Sequence, residues 1–98
     1  MANQQLHSVF GALSDPTRFA VVERLSAGPA SVSELQQPFT MATPTFLRHL
    51  QVLEAAGVIQ TIKRGRVRTC ALRPETLDFV ERWVSRRKRY VSAQLARP

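Results

Sequence analysis

The chain of 98 residues has little sulfur chemistry, because Cys70 is its single cysteine. One thiol cannot form an internal disulfide, and no second thiol stands at metal-ligand spacing, which excludes disulfide scaffolds and zinc ribbons. No apolar run approaches the roughly 18 residues of a membrane-spanning helix, and the N-terminus lacks a basic-then-apolar signal. We therefore expect a soluble cytoplasmic protein that does not contact a membrane.

The sequence also lacks the residue patterns that carry catalysis. It has no Ser-His-Asp set, paired-carboxylate motif, phosphate-binding glycine loop or metal cluster. A chain of 98 residues leaves little room for a buried substrate pocket. We therefore expect neither an enzyme nor a protein that carries a cofactor.

Acidic residues are outnumbered, since seven Asp and Glu stand against fourteen Lys and Arg, which gives a formal net charge of +7. A chain this short buries only roughly 60 to 70% of its unfolded surface and cannot support two cores, so residues 1–98 form one domain. An excess of cations favours a polyanionic partner, and nucleic acid is the first such partner to test.

Apolar periodicity predicts two helices before residue 28. Residues 3–13 carry one amphipathic stripe at i, i+3, i+4 and i+7, which consists of Leu6, Val9, Phe10 and Leu13. Polar capping residues and Pro16 open a second helix that runs to about Ala27. Gly28 and Pro29 then end it, because glycine favours a left-handed cap and proline cannot continue the hydrogen-bond ladder.

Two further helices with a tight link are predicted over residues 31–57, and this arrangement is a helix-turn-helix. The third helix begins at a capping box, in which the Ser31 hydroxyl and the Glu34 carboxylate each accept a free backbone N–H. The fourth helix is capped and opened by Thr43 and Pro44 and ends at Gly57.

The fourth helix separates apolar from polar side chains. A projection at 100° per residue places Phe46, Leu50 and Leu53 together. The opposite side, which we call the reading face, consists of Pro44, Thr45, Leu47, Arg48 and Gln51. In a DNA major groove, Arg48 can bind guanine, Gln51 can bind adenine, and Leu47 or Thr45 can contact a thymine methyl group. Exposed helices of any function carry such residues, so this face does not decide the function alone.

After residue 57 the pattern changes to that of a β-hairpin. Residues 58–63 and 67–72 are rich in β-branched side chains and flank Gly65, which can adopt the positive φ of a tight turn. Four cations surround this glycine, namely Lys63, Arg64, Arg66 and Arg68. A solvated charged loop is one interpretation, but a basic ribbon directly after a helix-turn-helix favours contact with phosphates or a minor groove. Residues 58–72 are therefore the predicted wing.

Pro74 starts a long final helix, residues 74–95, with two neighbouring apolar stripes. With the first helix, residues 1–13, it offers more apolar surface than one small core requires, which suggests a homodimer. The alternative is that these stripes only close the core of the monomer. The predicted interface residues are Leu6, Val9, Phe10, Leu13, Leu77, Val80, Trp83, Val84 and Val91. In a two-fold dimer the reading helices lie roughly 34 to 36 Å apart, so the target is an inverted repeat.

The predicted order of elements is α-α-α-α-β-β-α, a mainly helical winged helix-turn-helix with one small β-hairpin. Within it, two single residues are open to more than one interpretation. His49 lies at the edge of the apolar stripe and is a packing residue, a proton switch or a hydrogen-bond donor to DNA, of which we favour a bond to a phosphate or the backbone. Cys70 lies mid-strand with the parity of Leu72, which favours a buried inert thiol over a redox sensor.

Three stretches, Ala12 to Arg18 (ALSDPTR), Ser31 to Leu35 (SVSEL) and Leu47 to Val58 (LRHLQVLEAAGV), are together specific. They resemble the ArsR/SmtB family of dimeric bacterial winged-helix repressors. This resemblance implies a transcriptional repressor, a homodimer joined through the first and last helices, a reading helix that begins at Thr43, and a wing centred on Gly65. The DNA-contacting residues expected on this basis are Thr43, Thr45, Leu47, Arg48, His49, Gln51, Lys63, Arg64, Gly65, Arg66 and Arg68.

The resemblance does not extend to the metal sites of the family. Metal-sensing relatives carry a Cys-x-Cys-type motif on the third helix, where this chain has Glu34 to Pro38 without a thiol. Other relatives use paired Asp and His on the last helix, and residues 74–95 contain no His. Because borderline-soft metals require imidazole or thiolate ligands, we expect no zinc site.

We therefore predict a metal-independent homodimeric repressor that occupies an inverted-repeat operator on double-stranded DNA and blocks transcription by occlusion. One alternative is a protein-interaction module in which the winged helix docks on a partner through Leu47 and the apolar stripes. Another is a regulator that responds to redox state or to a ligand, through Cys70 or a pocket at the dimer interface. The sequence does not identify a small-molecule effector.

Overall fold

The computed structural model describes residues 2–96. Within them the elements follow in the order α1 (Ala2–Leu13), α2 (Pro16–Leu25), β1 (Ala30–Ser31), α3 (Val32–Gln36), α4 (Thr43–Ala55), β2 (Ile59–Arg64), β3 (Val67–Leu72) and α5 (Pro74–Leu95). This order confirms the predicted mainly helical architecture and adds one short strand to it. Among the described residues, no helix has both the length and the hydropathy that crossing a bilayer demands.

Side-chain caps explain where α2 and α3 begin. The Asp15 carboxylate accepts a hydrogen bond of 3.0 Å from the Arg18 backbone N–H at the start of α2. The predicted capping box of α3 is confirmed, because Ser31 Oγ accepts from the Glu34 N–H at 3.1 Å and Glu34 Oε1 accepts from the Ser31 N–H at 2.8 Å. The bond from the Ser31 backbone lowers the pKa of Glu34.

Two helix boundaries differ from the prediction. Helix α2 ends at Leu25 rather than near Ala27. Thr43 is not the cap of α4 but its first residue, and the cap position belongs to Ala42, which makes no side-chain bond there. The Thr43 hydroxyl instead accepts a hydrogen bond from the Gln36 amide, with an Nε2 to Oγ1 distance of 2.9 Å.

The small sheet has the strand order β1-β3-β2, with both pairs antiparallel. Periodicity did not predict β1, because two residues are too few to show alternation; Ala30 and Ser31 pair with Cys70 and Thr69. Arg64 is paired with Val67, so the hairpin turns through two residues, and Gly65 has the positive φ of +61° that was predicted for it. Glycine at the first central position is typical of a type II′ turn.

The core lies between α4, the other amino-terminal helices and the inner face of the sheet. The predicted apolar stripe of α4 is buried, with Phe46 and Leu53 at 0% exposure and Leu50 at 6%. It packs in one cluster with side chains from every neighbouring element, including Val9, Val21, Leu25, Leu35, Val58, Ile59 and Cys70. Because these side chains surround the stripe, α4 cannot rotate about its axis without exposing it to water.

The amino-terminal half of the predicted dimer interface requires correction. Leu6 and Val9 are 5% and 2% exposed in the single chain, so they are core residues and offer almost no surface to a partner. Leu13 and Val80 are partly buried against the same core. The i, i+3 spacing identified the apolar face of α1, but spacing cannot tell whether such a face packs within the chain or against a second copy.

Helix α5 extends away from the rest of the chain. Thr76 is its one buried residue among those described, and the Trp83 ring contacts the Phe10 ring of α1 edge-on, with centroids 5.8 Å apart. The radius of gyration is 16.2 Å, whereas a compact domain of this size has a value of about 13 Å. Every residue of α5 from position 84 to position 95 is solvent-exposed in the single chain.

We predict that the Thr76 side chain stabilises the packing of α5 against the end of α4. Its hydroxyl donates a hydrogen bond of 2.6 Å to the Gly57 carbonyl. The isosteric change Thr76→Val leaves this carbonyl without its donor, so the free energy of unfolding should fall by about 1–3 kcal/mol. Urea denaturation measures the change, and Thr76→Ser, which keeps the hydroxyl, is the control. Equal stability of Thr76→Val and the wild type would contradict this role.

Candidate nucleic-acid interface

The reading face of α4 is largely open to solvent. Thr45, Arg48 and Gln51 are exposed, as the helical projection predicted. Val52, which the projection left out, is also exposed on this face, at 39%. Its position follows from the same helical geometry, since it lies one turn after Arg48.

Leu47 is the exception on the reading face. It is half-buried and packs against the core cluster, so its predicted place on the exposed side of α4 is wrong in part. It lines a groove between α3, the start of α4 and the wing, together with Ser31, Val32, Ser33, Gln36, Thr43, Arg66, Val67 and Arg68. Leu47 therefore lines the groove between the reading helix and the wing.

Gln36 was not predicted as a site residue, although it orients one. Because its amide N–H donates to Thr43 Oγ1, the Thr43 hydroxyl proton is free to bind another acceptor. The two residues are seven positions apart on different helices, and no periodic signal links them. The start of α4 thus presents a hydroxyl donor at the edge of the groove.

The four cations of the wing occupy two faces of the hairpin. Thr61 and Cys70 are paired on the face that packs toward the core, and alternation puts the next pair, Lys63 and Arg68, on that same face. Arg64 lies on the opposite face. Lys63 and Arg68 are direct cross-strand partners, and like charges in this position destabilise a hairpin.

No acidic side chain of the described residues lies within salt-bridge distance of these wing cations, and all four are exposed. No ion pair among residues 2–96 therefore compensates their mutual repulsion. An anion bound between Lys63 and Arg68 would relieve it, and a phosphate has the charge to do so. The wing is thus an electrostatically incomplete surface.

His49 does not lie at the centre of the reading face but at its edge, against the start of α2. Its Nδ1 is 3.1 Å from Arg18 Nη1 and 3.7 Å from Asp15 Oδ2. The Arg18 backbone N–H is the largest of the influences that lower the pKa of Asp15, and the charge of Arg18 adds to it. Sequence spacing gave no sign of this three-residue cluster.

Comparisons with known proteins agree with this geometry. A family model described as a helix-turn-helix domain matches residues 13–62. A crystal structure of an ArsR family transcriptional regulator is 51% identical in sequence, covers 90% of this chain and 97% of that chain, and has a TM-score of 0.86. The transcriptional repressor SdpR of Bacillus subtilis is 28% identical over 79 residues, which are 81% of this chain and 88% of SdpR.

A more distant likeness concerns the fold alone. The homodimeric winged helix-turn-helix DNA-binding domain of Mb0332 from Mycobacterium bovis, a possible ArsR-family regulator, is 19% identical. The match covers 89% of this chain and 82% of that domain, with a TM-score of 0.69.

The residues of α3 and α5 do not fit the two kinds of metal site that metal-sensing relatives carry on the corresponding helices. Helix α3 carries no thiol, and α5 carries no imidazole. Among residues 2–96, no group of three or more His, Cys, Asp or Glu side chains comes together. The one thiol, Cys70, is fully buried in β3, where the Thr61 hydroxyl lies 3.7 Å from its sulfur. Burial raises the pKa of the Cys70 thiol, so it stays protonated.

We predict that Cys70 of the folded protein reacts slowly with iodoacetamide, because the thiolate is the nucleophile and burial suppresses it. Labelling followed by mass spectrometry should be slow in buffer and fast in denaturant. A chain with Thr40→Cys in a Cys70→Ser background carries an exposed thiol and serves as the control. Equally fast labelling of the native wild type would revive the redox-sensor alternative.

Proposed function

Because the chain belongs to the ArsR family of winged helix-turn-helix transcriptional regulators, which are DNA-binding proteins and not enzymes, we propose that it is a homodimeric, metal-independent repressor. It occupies an inverted-repeat operator and blocks transcription by occlusion. The observation that carries the proposal is the adjacency of an exposed polar face on α4 and an uncompensated basic hairpin.

The reading face supplies the chemistry for base contacts. Arg48 suits the two acceptors of guanine, Gln51 suits the donor and acceptor of adenine, and the methyl groups of Thr45 and Val52 suit thymine. The buried stripe on the opposite side of α4 supports this assignment, because it holds these side chains outward. Thr43, whose hydroxyl proton is free, is assigned to a phosphate at the start of the helix.

The wing supplies phosphate contacts. We assign the main contacts to Lys63 and Arg68, because a bound phosphate would reduce the repulsion between these directly paired cations. We assign weaker contacts to Arg64 and Arg66 near the turn. Gly65 contributes the tight turn that lets the hairpin approach the DNA backbone.

The exposed apolar surface of α5 supports a second copy of the chain as partner. Leu77, Val84 and Val91 follow one another at seven-residue spacing and are 44%, 41% and 51% exposed. Phe10 of α1 is 42% exposed and packs on Trp83 beside this stripe. An apolar stripe of this length on a free helix is typical of a dimer interface.

The charges of α5 favour an antiparallel arrangement in that dimer. Its acidic residues lie in the first half, at Glu75, Asp78 and Glu81, and its basic residues follow them, at Arg82, Arg86, Arg87, Lys88 and Arg89. Two antiparallel copies bring the acidic half of one helix near the basic half of the other. Parallel copies would bring like charges together, so the pattern is complementary to itself under two-fold symmetry.

Such symmetry determines the form of the operator. A two-fold dimer presents its two reading helices roughly 34 to 36 Å apart, which is one turn of DNA, and therefore binds an inverted repeat. The alternative of a protein-interaction module loses its main support, because Leu47 is half-buried rather than exposed. The buried Cys70 likewise gives the redox alternative little support.

We predict a steep salt dependence of DNA affinity. The probe is a duplex recovered by the protein from a random-sequence pool, and affinity is measured by fluorescence anisotropy over a salt series. Lys63→Gln and Arg68→Gln should each reduce the slope of log affinity against log salt by about 1.8, because each removes one phosphate contact from each protomer of the proposed dimer. Arg24→Gln, an exposed cation on α2, should leave the slope unchanged. A nearly flat slope for the wild type would refute phosphate-driven binding.

We predict a dimer in sedimentation velocity. Val84→Asp places a charge in the middle of the exposed α5 stripe and should give a monomer that remains folded, because Val84 lies outside the buried core. Ile62→Asp makes the same kind of change at a 48% exposed position on β2 and should leave the dimer intact. A wild-type chain that sediments as a monomer at every concentration would contradict the proposed dimer.

A further inference from the structure

Arg18 uses its guanidinium inside the protein. Its Nε donates to the Ala12 carbonyl at 2.7 Å and one Nη donates to the Gly11 carbonyl at 3.4 Å, both at the end of α1. The other Nη reaches across to His49 on α4, at 3.1 Å from Nδ1. The Arg18 guanidinium, which lies beside the reading face, therefore links the end of α1 to the reading helix by hydrogen bonds.

This contact determines which nitrogen of His49 carries the proton. A guanidinium has donors only, so Nδ1 of His49 must accept, and the neutral ring then carries its proton on Nε2. The Asp15 Oδ2 atom lies 3.7 Å from Nδ1, beyond hydrogen-bond distance, whereas Arg18 Nη1 lies within it. The Arg18 bond and the neutral ring are mutually consistent.

The proton on Nε2 is available to a ligand. No hydrogen bond joins Nε2 to a described residue. Within the described part of the chain, no buried side-chain nitrogen or oxygen lacks a partner, so Nε2 is open to solvent. The ring stands one turn from Thr45 and next to Arg48, at the edge of the reading face. A donor at this edge is suited to the DNA backbone that borders the major groove.

We propose that Arg18 is a positioning residue for DNA binding, which holds His49 in the tautomer whose Nε2–H donates to a DNA phosphate. This inference rests on the proposed function. It adds the atom that donates to the DNA, His49 Nε2, and the residue that orients the ring, Arg18. Arg18 itself does not touch the DNA. Because it is bonded to the end of α1, it also holds the reading helix in a fixed orientation relative to that helix.

Nitrogen NMR of the imidazole in the unmodified protein provides the first test. The His49 shifts should show Nδ1 unprotonated and Nε2 protonated, and addition of the duplex selected from a random pool should shift Nε2 while Nδ1 remains an acceptor. His7, which is exposed on α1 and to which we assign no DNA contact, is the internal control. A proton on Nδ1, or an Nε2 resonance that does not respond to DNA, would overturn the inference.

Charge-conserving variants provide the second test. Arg18→Lys keeps the net charge but cannot donate to both the α1 carbonyls and His49, so its affinity for the selected duplex should fall about tenfold, as expected for loss of a hydrogen bond to a charged group. Arg24→Lys, on the same helix, should bind as the wild type does. Thermal unfolding of each variant confirms that it is folded.

A double-mutant cycle separates positioning from general stability. His49→Phe keeps the ring and should lose as much affinity as Arg18→Lys, and the double variant should lose no more than either, because both act through one phosphate bond. Additive losses, or wild-type affinity in folded Arg18→Lys, would contradict the inference while leaving the proposed function intact. A wild type that binds no duplex would instead overturn the proposed function.

Discussion

Burial of one side of α4 is the interaction on which the rest of the structure depends. Phe46 and Leu53 are completely enclosed and Leu50 nearly so, and a fully buried side chain of this size contributes about 1.5–3 kcal/mol. These contacts determine the rotation of the helix about its axis. The outward direction of Arg48 and Gln51 is therefore a consequence of the core.

The same chain leaves two surfaces unsatisfied, and they differ in chemistry. The wing presents paired cations with no salt bridge to a described acidic residue, which suits it to an anion. Helix α5 presents an apolar stripe and a division of charge along its length, which in our proposal pair with an identical helix in the opposite direction. The DNA-bound dimer that we propose would satisfy both at once, because pairing of the α5 helices would bring two wings and two reading helices to one duplex.

Local patterns predicted much of this fold, because they depend on neighbouring residues. The capping box at Ser31, the stripe of α4 and the positive φ of Gly65 all follow from short spacings. Features made by distant residues were missed or misjudged. The bond from Arg18 to His49 spans 31 positions, and β1 exists only because Cys70 pairs with it. Spacing showed that Leu6 belongs to the apolar face of α1. It could not show that Leu6 is buried within its own chain.

The central claim is that α4 and the wing form one DNA-binding surface. Backbone amide shift mapping of the labelled protein during titration with the selected duplex tests it most directly. The account predicts that the largest shifts cluster at residues 43–52 and 63–68, with the exposed face of α2 around Glu23 unaffected. Shifts confined to the basic half of α5, with α4 unperturbed, would contradict it.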